Sequence, residues 1–127
     1  MYAETDFILA LIKENDWLKN NAEKVYEKYK NEIWSSQVLL QELMLYCYKN
    51  KIDSVKVIDE TAKLIQIKDI SINYEYFIAV GHVMNAYLAS PFDAMHAIAA
   101  KNDGRIISSD SIYDRIGLTR IKLEEKI

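Results

Sequence analysis

Helix-like and strand-like stretches alternate along this chain from its first residues to its last. Residues 1–3, 33–34, 68–72, 105–109 and 119–123 read as short strands. Residues 5–12, 16–30, 55–66, 74–89 and 91–102 read as helices, and Ser35 or Ser36 can cap another that runs through Lys49. Residues 110–116 read as a short helix or turn, and Gly104 as a helix stop. Strands that alternate with helices imply an α/β fold with a parallel sheet and helices on both faces. In such folds a ligand lies beyond the carboxyl ends of the strands.

The details of the pattern set expectations for the core. Trp17, Val25, Tyr26 and Tyr29 form the apolar side of the second helix. Val55, Ile58, Ala62 and Ile65 recur at helical spacing in the fourth. Three glycines and one proline in 127 residues leave few breakers, so long helices dominate. At 50% hydrophobic residues the chain can bury a proper core, and its length suits one domain over residues 1–127.

Composition also narrows the function. The single cysteine, Cys47, excludes an internal disulfide and lies in an apolar stretch that predicts a buried, inert thiol. One Cys and two His leave no Cys/His zinc signature. The first residues carry Glu4 and Asp6 and no basic segment, unlike a signal peptide. The longest apolar run, residues 76–89, is interrupted by Gly81, His82 and Asn85 and is too short for a bilayer. The expectation is a soluble, cytoplasmic protein. A net charge of −3 argues against nucleic-acid binding by bulk charge alone. It leaves room for an enzyme that meets phosphate through bound cations.

Four acids stand at successive element junctions: Glu4, Glu42, Asp93 and Asp110. Each has an ordinary explanation. Glu4 and Asp6 suit the positive end of a helix dipole. Glu42 has Val38, Leu39, Leu45 and Tyr46 around it on its helix and could reach solvent from a boundary position. Asp93 follows Ser90-Pro91-Phe92, where Ser90 is a good N-cap, Pro91 a good first residue and Asp93 the acidic partner of a capping box. Asp110 can cap the turn after its strand, with Asp114 one turn on. Taken together they are better explained as a cluster. Like charges so placed repel unless a cation relieves them, and hard oxygen ligands select Mg²⁺ or Mn²⁺.

The same residues fall into an ordered set of motifs. Glu4-Thr5-Asp6-Phe7-Ile8-Leu9-Ala10-Leu11 follows the first strand. Ser36-Gln37-Val38-Leu39-Leu40-Gln41-Glu42-Leu43 opens a helix. Ser90-Pro91-Phe92-Asp93-Ala94-Met95-His96-Ala97 opens another, and Ile106-Ile107-Ser108-Ser109-Asp110-Ser111-Ile112-Tyr113 closes the set. In this order the chain resembles the PIN domain, most closely the small VapC-type ribonucleases of prokaryotes. One departure stands out: the first acid of that family is usually Asp, and here it is Glu4. Ser108 stands where Thr is common and keeps the hydroxyl.

The resemblance implies a PIN-like three-layer α/β/α fold with a small, mostly parallel sheet. It also implies a metal-dependent endoribonuclease that hydrolyses RNA phosphodiesters, a toxin of a toxin–antitoxin pair. Glu4 (or Asp6), Asp93 and Asp110 would hold Mg²⁺ or Mn²⁺, with Glu42 a ligand or a water-orienting base. Thr5, Ser36, Ser108 and Asp114 would orient the ligands, and Arg115 could contact phosphate. His96 shares a helix face with Asp93 and is read as packing or orienting rather than as a ligand. His82 is read as a packed or partly exposed histidine. A homodimer and a small antitoxin partner are carried over with the resemblance. The nine tyrosines are read as core and dimer surface before base-stacking groups.

Two other classes compete with the nuclease. A non-catalytic PIN-like module binding RNA or protein is motivated by Glu4. A phosphoacceptor receiver also clusters acids at strand ends. The strand-end Lys it needs is missing, because Arg105 precedes its strand.

Overall fold

The computed structural model describes residues 1–125. The elements are β1 (Tyr2–Ala3), α1 (Thr5–Ile12), α2 (Lys19–Tyr29), β2 (Trp34–Ser35), α3 (Gln37–Asn50) and α4 (Ser54–Leu64). They continue with β3 (Gln66–Ile67), α5 (Tyr74–Tyr87), α6 (Pro91–Ala100), β4 (Arg105–Ser108), α7 (Ile112–Ile116) and β5 (Thr119–Lys122). The five strands pair in parallel in the order β3-β2-β1-β4-β5. The expected α/β architecture is therefore the observed one. The chain builds one half of the sheet outward from β1 and then crosses back to build the other from β4. The β1/β4 seam is thus the switch point where such sheets open a crevice.

Period-two alternation gives the sheet two apolar faces. Ala3 and Ile107 point into a core shared with Phe7 and Ile8 of α1, Val25 of α2, and Leu39 and Leu43 of α3. Tyr2 and Ile106 point the other way, onto Ala97 and Ala100 of α6 and Tyr113 of α7. The small residues of α6 let that helix lie close to the sheet. A third cluster joins Val38 and Ala94 to Tyr76 and Val80 of α5. Cys47 is buried at 2% exposure, as its surroundings predict, and burial pushes its thiol up.

Three sequence expectations shift. The strand expected at 68–72 lies earlier, as β3 at Gln66–Ile67. Its ladder extends one bond further, from Lys68 N to Ser35 O at 2.8 Å. The Gln37 amide then takes over, bonding Ile70 N and O at 2.8 and 2.7 Å. A side chain replaces a strand partner there. The second helix starts at Lys19 rather than Asp16, because the Asp16 carboxylate accepts from Leu18 N and forms a turn. Trp17 sits in that turn at 79% exposure. In α4 the buried positions are Val57 and Thr61, while Val55 is 76% exposed. Thr61 passes as apolar because its hydroxyl donates to Val57 O within the helix.

Candidate metal centre

Glu4 leaves β1 at its carboxyl end and caps α1. Its Oε1 accepts from Thr5 N at 2.9 Å, and its Oε2 accepts from Ser108 Oγ, at the end of β4, at 3.0 Å. This pair spans the switch point. Glu4 is only 6% exposed. Burial first, then the charges of Asp6 and Glu42, hold its carboxyl well above the usual range, against the Ser108 bond.

Asp6 lies in the first turn of α1. Its Oδ2 accepts from Ser109 N at 2.7 Å and Ser109 Oγ at 2.5 Å, with Ser108 Oγ at 3.4 Å. Among the described residues its Oδ1 is buried with no hydrogen-bond partner. A carboxylate oxygen sealed from water with no donor is costly, and a cation would relieve it.

Glu42 comes from α3. Its Oε1 accepts from Thr5 Oγ1 and faces His96 Nε2 at 2.9 Å. Burial works to raise its pKa, but the His96 contact and the Thr5 hydroxyl outweigh it, and the carboxyl is held below its ordinary range. Behind Glu42 runs a buried chain of polar groups. His96 Nδ1 meets Tyr2 Oη at 2.6 Å, and Tyr2 Oη meets Ser36 Oγ at 2.9 Å. Ser36 also caps α3 through Val38 N. His96, Ser36 and Tyr2 are all fully buried. Burial raises the Tyr2 phenol well above its ordinary value, so it stays protonated.

Asp93 and Asp110 stand on the rim. Ser90 Oγ accepts from Asp93 N, as the capping pattern predicts. The Asp93 carboxylate accepts instead from Tyr113 Oη at 3.4 Å. Asp93 is pushed up chiefly by burial, with Asp110 and Glu42 adding to it. Asp110 is exposed, accepts from Ile112 N at 3.0 Å in the turn that leads into α7, and bonds Ser108 Oγ through its own N at 2.9 Å. Tyr113 is buried between these groups, and its phenol is raised far by burial and by Glu4, Asp93, Asp6 and Glu42.

The structure therefore brings Glu4, Glu42 and His96 within ligand reach of one another, with Asp6, Thr5 and Ser108 bonded beside them, while Asp93 and Asp110 stay on the rim, held by Tyr113 and Ser108. Ser36 reaches the cluster through Tyr2 and His96. Asp114 turns away and pairs with Arg120 at 3.0 Å; Arg120 in turn donates to Ser108 O. Arg115 is exposed on α7. Sequence reasoning missed Tyr2, Ser109 and Tyr113, and placed His96 with Asp93 rather than against Glu42. For the two tyrosines a polar tip on an otherwise apolar side chain was the only local signal. Glu4, Glu42 and His96 each offer a ligand atom within 4.8 Å of the others. A cavity of about 310 Å³ opens from the centre between α1 and α3, lined in part by Glu4, Asp6, Glu42, Tyr46 and Lys49.

The family model for the PIN domain matches residues 1–118. Among solved structures, VapBC2 from Rickettsia felis, bound to a DNA fragment from its promoter, superposes with a TM-score of 0.73. It is 16% identical and is covered to 96% by 95% of this chain. DNA-bound VapBC from Salmonella typhimurium gives a TM-score of 0.72 at 16% identity, covering 96% of each chain. VapC20 of Mycobacterium tuberculosis, a toxin that cleaves the sarcin-ricin loop, gives 0.73 at 12% identity, covering 95% of this chain and 98% of its own. A comparison with curated proteins finds no match. At these identities the likeness establishes a shared fold.

Proposed function

The chain belongs to the PIN-domain family, and on that premise we propose that it is a metal-dependent endoribonuclease of the VapC kind. The observation that carries this reading is the orphaned Asp6 Oδ1, buried beside a Glu4 carboxyl that burial first, and then its acidic neighbours, push up. Both features are what a cation would relieve, so the donor set fits one.

Glu4, Asp6, Asp93 and Asp110 would hold Mg²⁺ or Mn²⁺. When bound, such an ion neutralises charge on a scissile phosphate and lowers the pKa of coordinated water. The side chains do the rest. Ser108 and Ser109 fix one oxygen each of Glu4 and Asp6, which leaves Asp6 Oδ1 without a protein donor. Tyr113 orients Asp93. Glu42, whose carboxyl is held below its ordinary range against burial by His96 and Thr5, would join the ligands or orient an attacking water. The cavity beside α3 would take the nucleotide next to the cleaved bond, with Tyr46 and Lys49 facing it. Arg115 would meet phosphate further out.

Cellular RNA is then the substrate, in the cytoplasm. A homodimer and a small antitoxin are the expected partners. Among the described residues no helix is long and apolar enough to cross a membrane. The test is cleavage of a mixed pool of structured RNAs with Mn²⁺, with Mg²⁺ and with chelator. Asp93→Asn should abolish metal-dependent cleavage while far-UV CD is unchanged; equal cleavage by the variant would remove the site assignment.

A second reading is a PIN-like binding module without turnover. It is favoured by Glu4, both of whose carboxylate oxygens already accept from protein donors. It predicts RNA retention without product, and turnover that Glu42→Gln eliminates would exclude it.

A further inference from the structure

His96 holds the most unusual position near the acidic cluster. It is fully buried, on α6, and its two nitrogens face different chemistry. Nδ1 meets a phenol, Tyr2 Oη, at 2.6 Å. Nε2 points into the centre, 2.9 Å from Glu42 Oε1 and 4.0 Å from Glu4 Oε1. In the metal-free protein the proton that makes the Nε2–Glu42 contact favourable sits on Nε2. Nδ1 then accepts from the Tyr2 hydroxyl.

On the Tyr2 side the same partners serve the other tautomer. Tyr2 Oη can accept from an Nδ1–H and turn its own hydrogen to Ser36 Oγ, 2.9 Å away. A buried histidine whose outer nitrogen is anchored by a hydrogen-bond acceptor, with its inner nitrogen among carboxylates, is how proteins present imidazole to a metal. The spacing agrees. Neighbouring ligands on an octahedral ion with bonds of about 2.1 Å lie about 3 Å apart. The Nε2–Glu42 separation of 2.9 Å is that edge.

We propose that His96 Nε2 is a metal ligand, with Glu42 and Glu4, and that the centre is a mixed imidazole–carboxylate site selective for divalent transition metals over Mg²⁺. In this view metal binding displaces the Nε2 proton of the metal-free protein. On binding, the neutral imidazole carries its one proton on Nδ1 and donates it to Tyr2 Oη. Relative to Mg²⁺, which keeps to oxygen, an imidazole nitrogen is better accepted by Mn²⁺ and better still by the later first-row ions. The substitution of Glu for Asp at position 4 belongs to the same argument. Its extra methylene brings its carboxylate within 4.0 Å of the histidine.

This inference rests on the metal-centre reading above and is tested without any RNA. The chain has two histidines, and His82 is exposed on α5, far along the sequence from the acids. Pulsed EPR on the Mn²⁺-loaded full chain should show an imidazole nitrogen coupling. It should persist in His82→Gln, where His96 is the sole histidine, and change to the ¹⁵N pattern in protein labelled with ¹⁵N-histidine. In titration calorimetry, His96→Asn should lower the preference for Mn²⁺ over Mg²⁺ by about tenfold or more. Bound Mn²⁺ with no nitrogen coupling in the otherwise native chain would overturn the proposal. Failure of the chain to bind Mn²⁺ at all would overturn both it and the metal-centre reading. Nitrogen-ligated Mn²⁺ in a protein that cuts no RNA would uphold this site and count against the nuclease alone.

Discussion

At the scale of single residues, the chemistry depends on hydroxyls that tie the acids to the sheet. Thr5, Ser108 and Ser109 each donate to an acid of the centre, and Tyr2 joins His96 to Ser36. Tyr2 is the residue whose removal most exposes this dependence. Tyr2→Phe keeps the ring in its apolar cluster but strips the partner from two buried polar atoms. The expected loss is about 1–3 kcal/mol, read by urea unfolding with an unchanged m-value. A cost near zero would mean the buried chain of polar groups contributes nothing. Legibility at this scale was uneven. Glu4, Glu42, Asp93 and Asp110 were readable because a carboxylate inside apolar spacing needs an explanation. Tyr2 was not, because a tyrosine in a strand is ordinary until its hydroxyl is seen to have a buried partner.

Among the elements, the helix ends show where the chain accepts strain. α3 and α5 both stop on a residue in the left-handed region, Lys51 at φ 55° and Leu88 at φ 56°. Glycine is the residue such a cap favours, since a Cβ there costs roughly 1–2 kcal/mol. Both side chains are exposed, and Leu88 is 89% exposed, so replacing them removes little packing. Lys51→Gly and Leu88→Gly should each stabilise the fold by about 0.5–1 kcal/mol, net of glycine's backbone entropy. Thermal unfolding of the two variants and their double checks this, and additive effects in the double would show the two caps act independently. The other helix starts are conventional. Ser36, Asp53, Asn73 and Ser90 each cap with a side-chain oxygen, which is why most boundaries were readable to within a residue or two. The start of α2 was not, because the Asp16 turn mimics a helix cap.

For the whole molecule, the acids make stability depend on pH in two opposite ways. Glu4 and Asp93 have raised folded-state pKa values, chiefly through burial. Such groups stabilise most below their unfolded value and lose that contribution as pH rises through the folded value. Asp103 behaves the other way. Burial opposes it, but the Trp34 indole, the N-terminal amine and Arg105 pull it down to about 2. Its contribution is present above the ordinary carboxylate range and fades as pH falls toward 2. The chelated protein should therefore lose thermal stability as pH climbs above 4.5, the ordinary value for glutamate, and again in strong acid. Adding Mn²⁺ should remove the first loss and leave the second unchanged, because Asp103 lies at the opposite end of the sheet, by the amino ends of β1 and β4. A metal-free profile that stays flat above pH 4.5 would show that the acids do not repel one another in the folded state.

Read alone, the amino-acid order determined the alternation of elements, the parallel α/β architecture and the positions of the acids. These follow from periodicity and capping, which act over a few residues. Strand order, the switch point between β1 and β4, and the shift of β3 came only with the tertiary structure. So did the pairing of Glu42 with His96, the empty side of Asp6 Oδ1 and the turn of Asp114 toward Arg120. Each joins residues distant in sequence, or depends on what a neighbouring layer leaves unfilled. Local propensity carries no information about either.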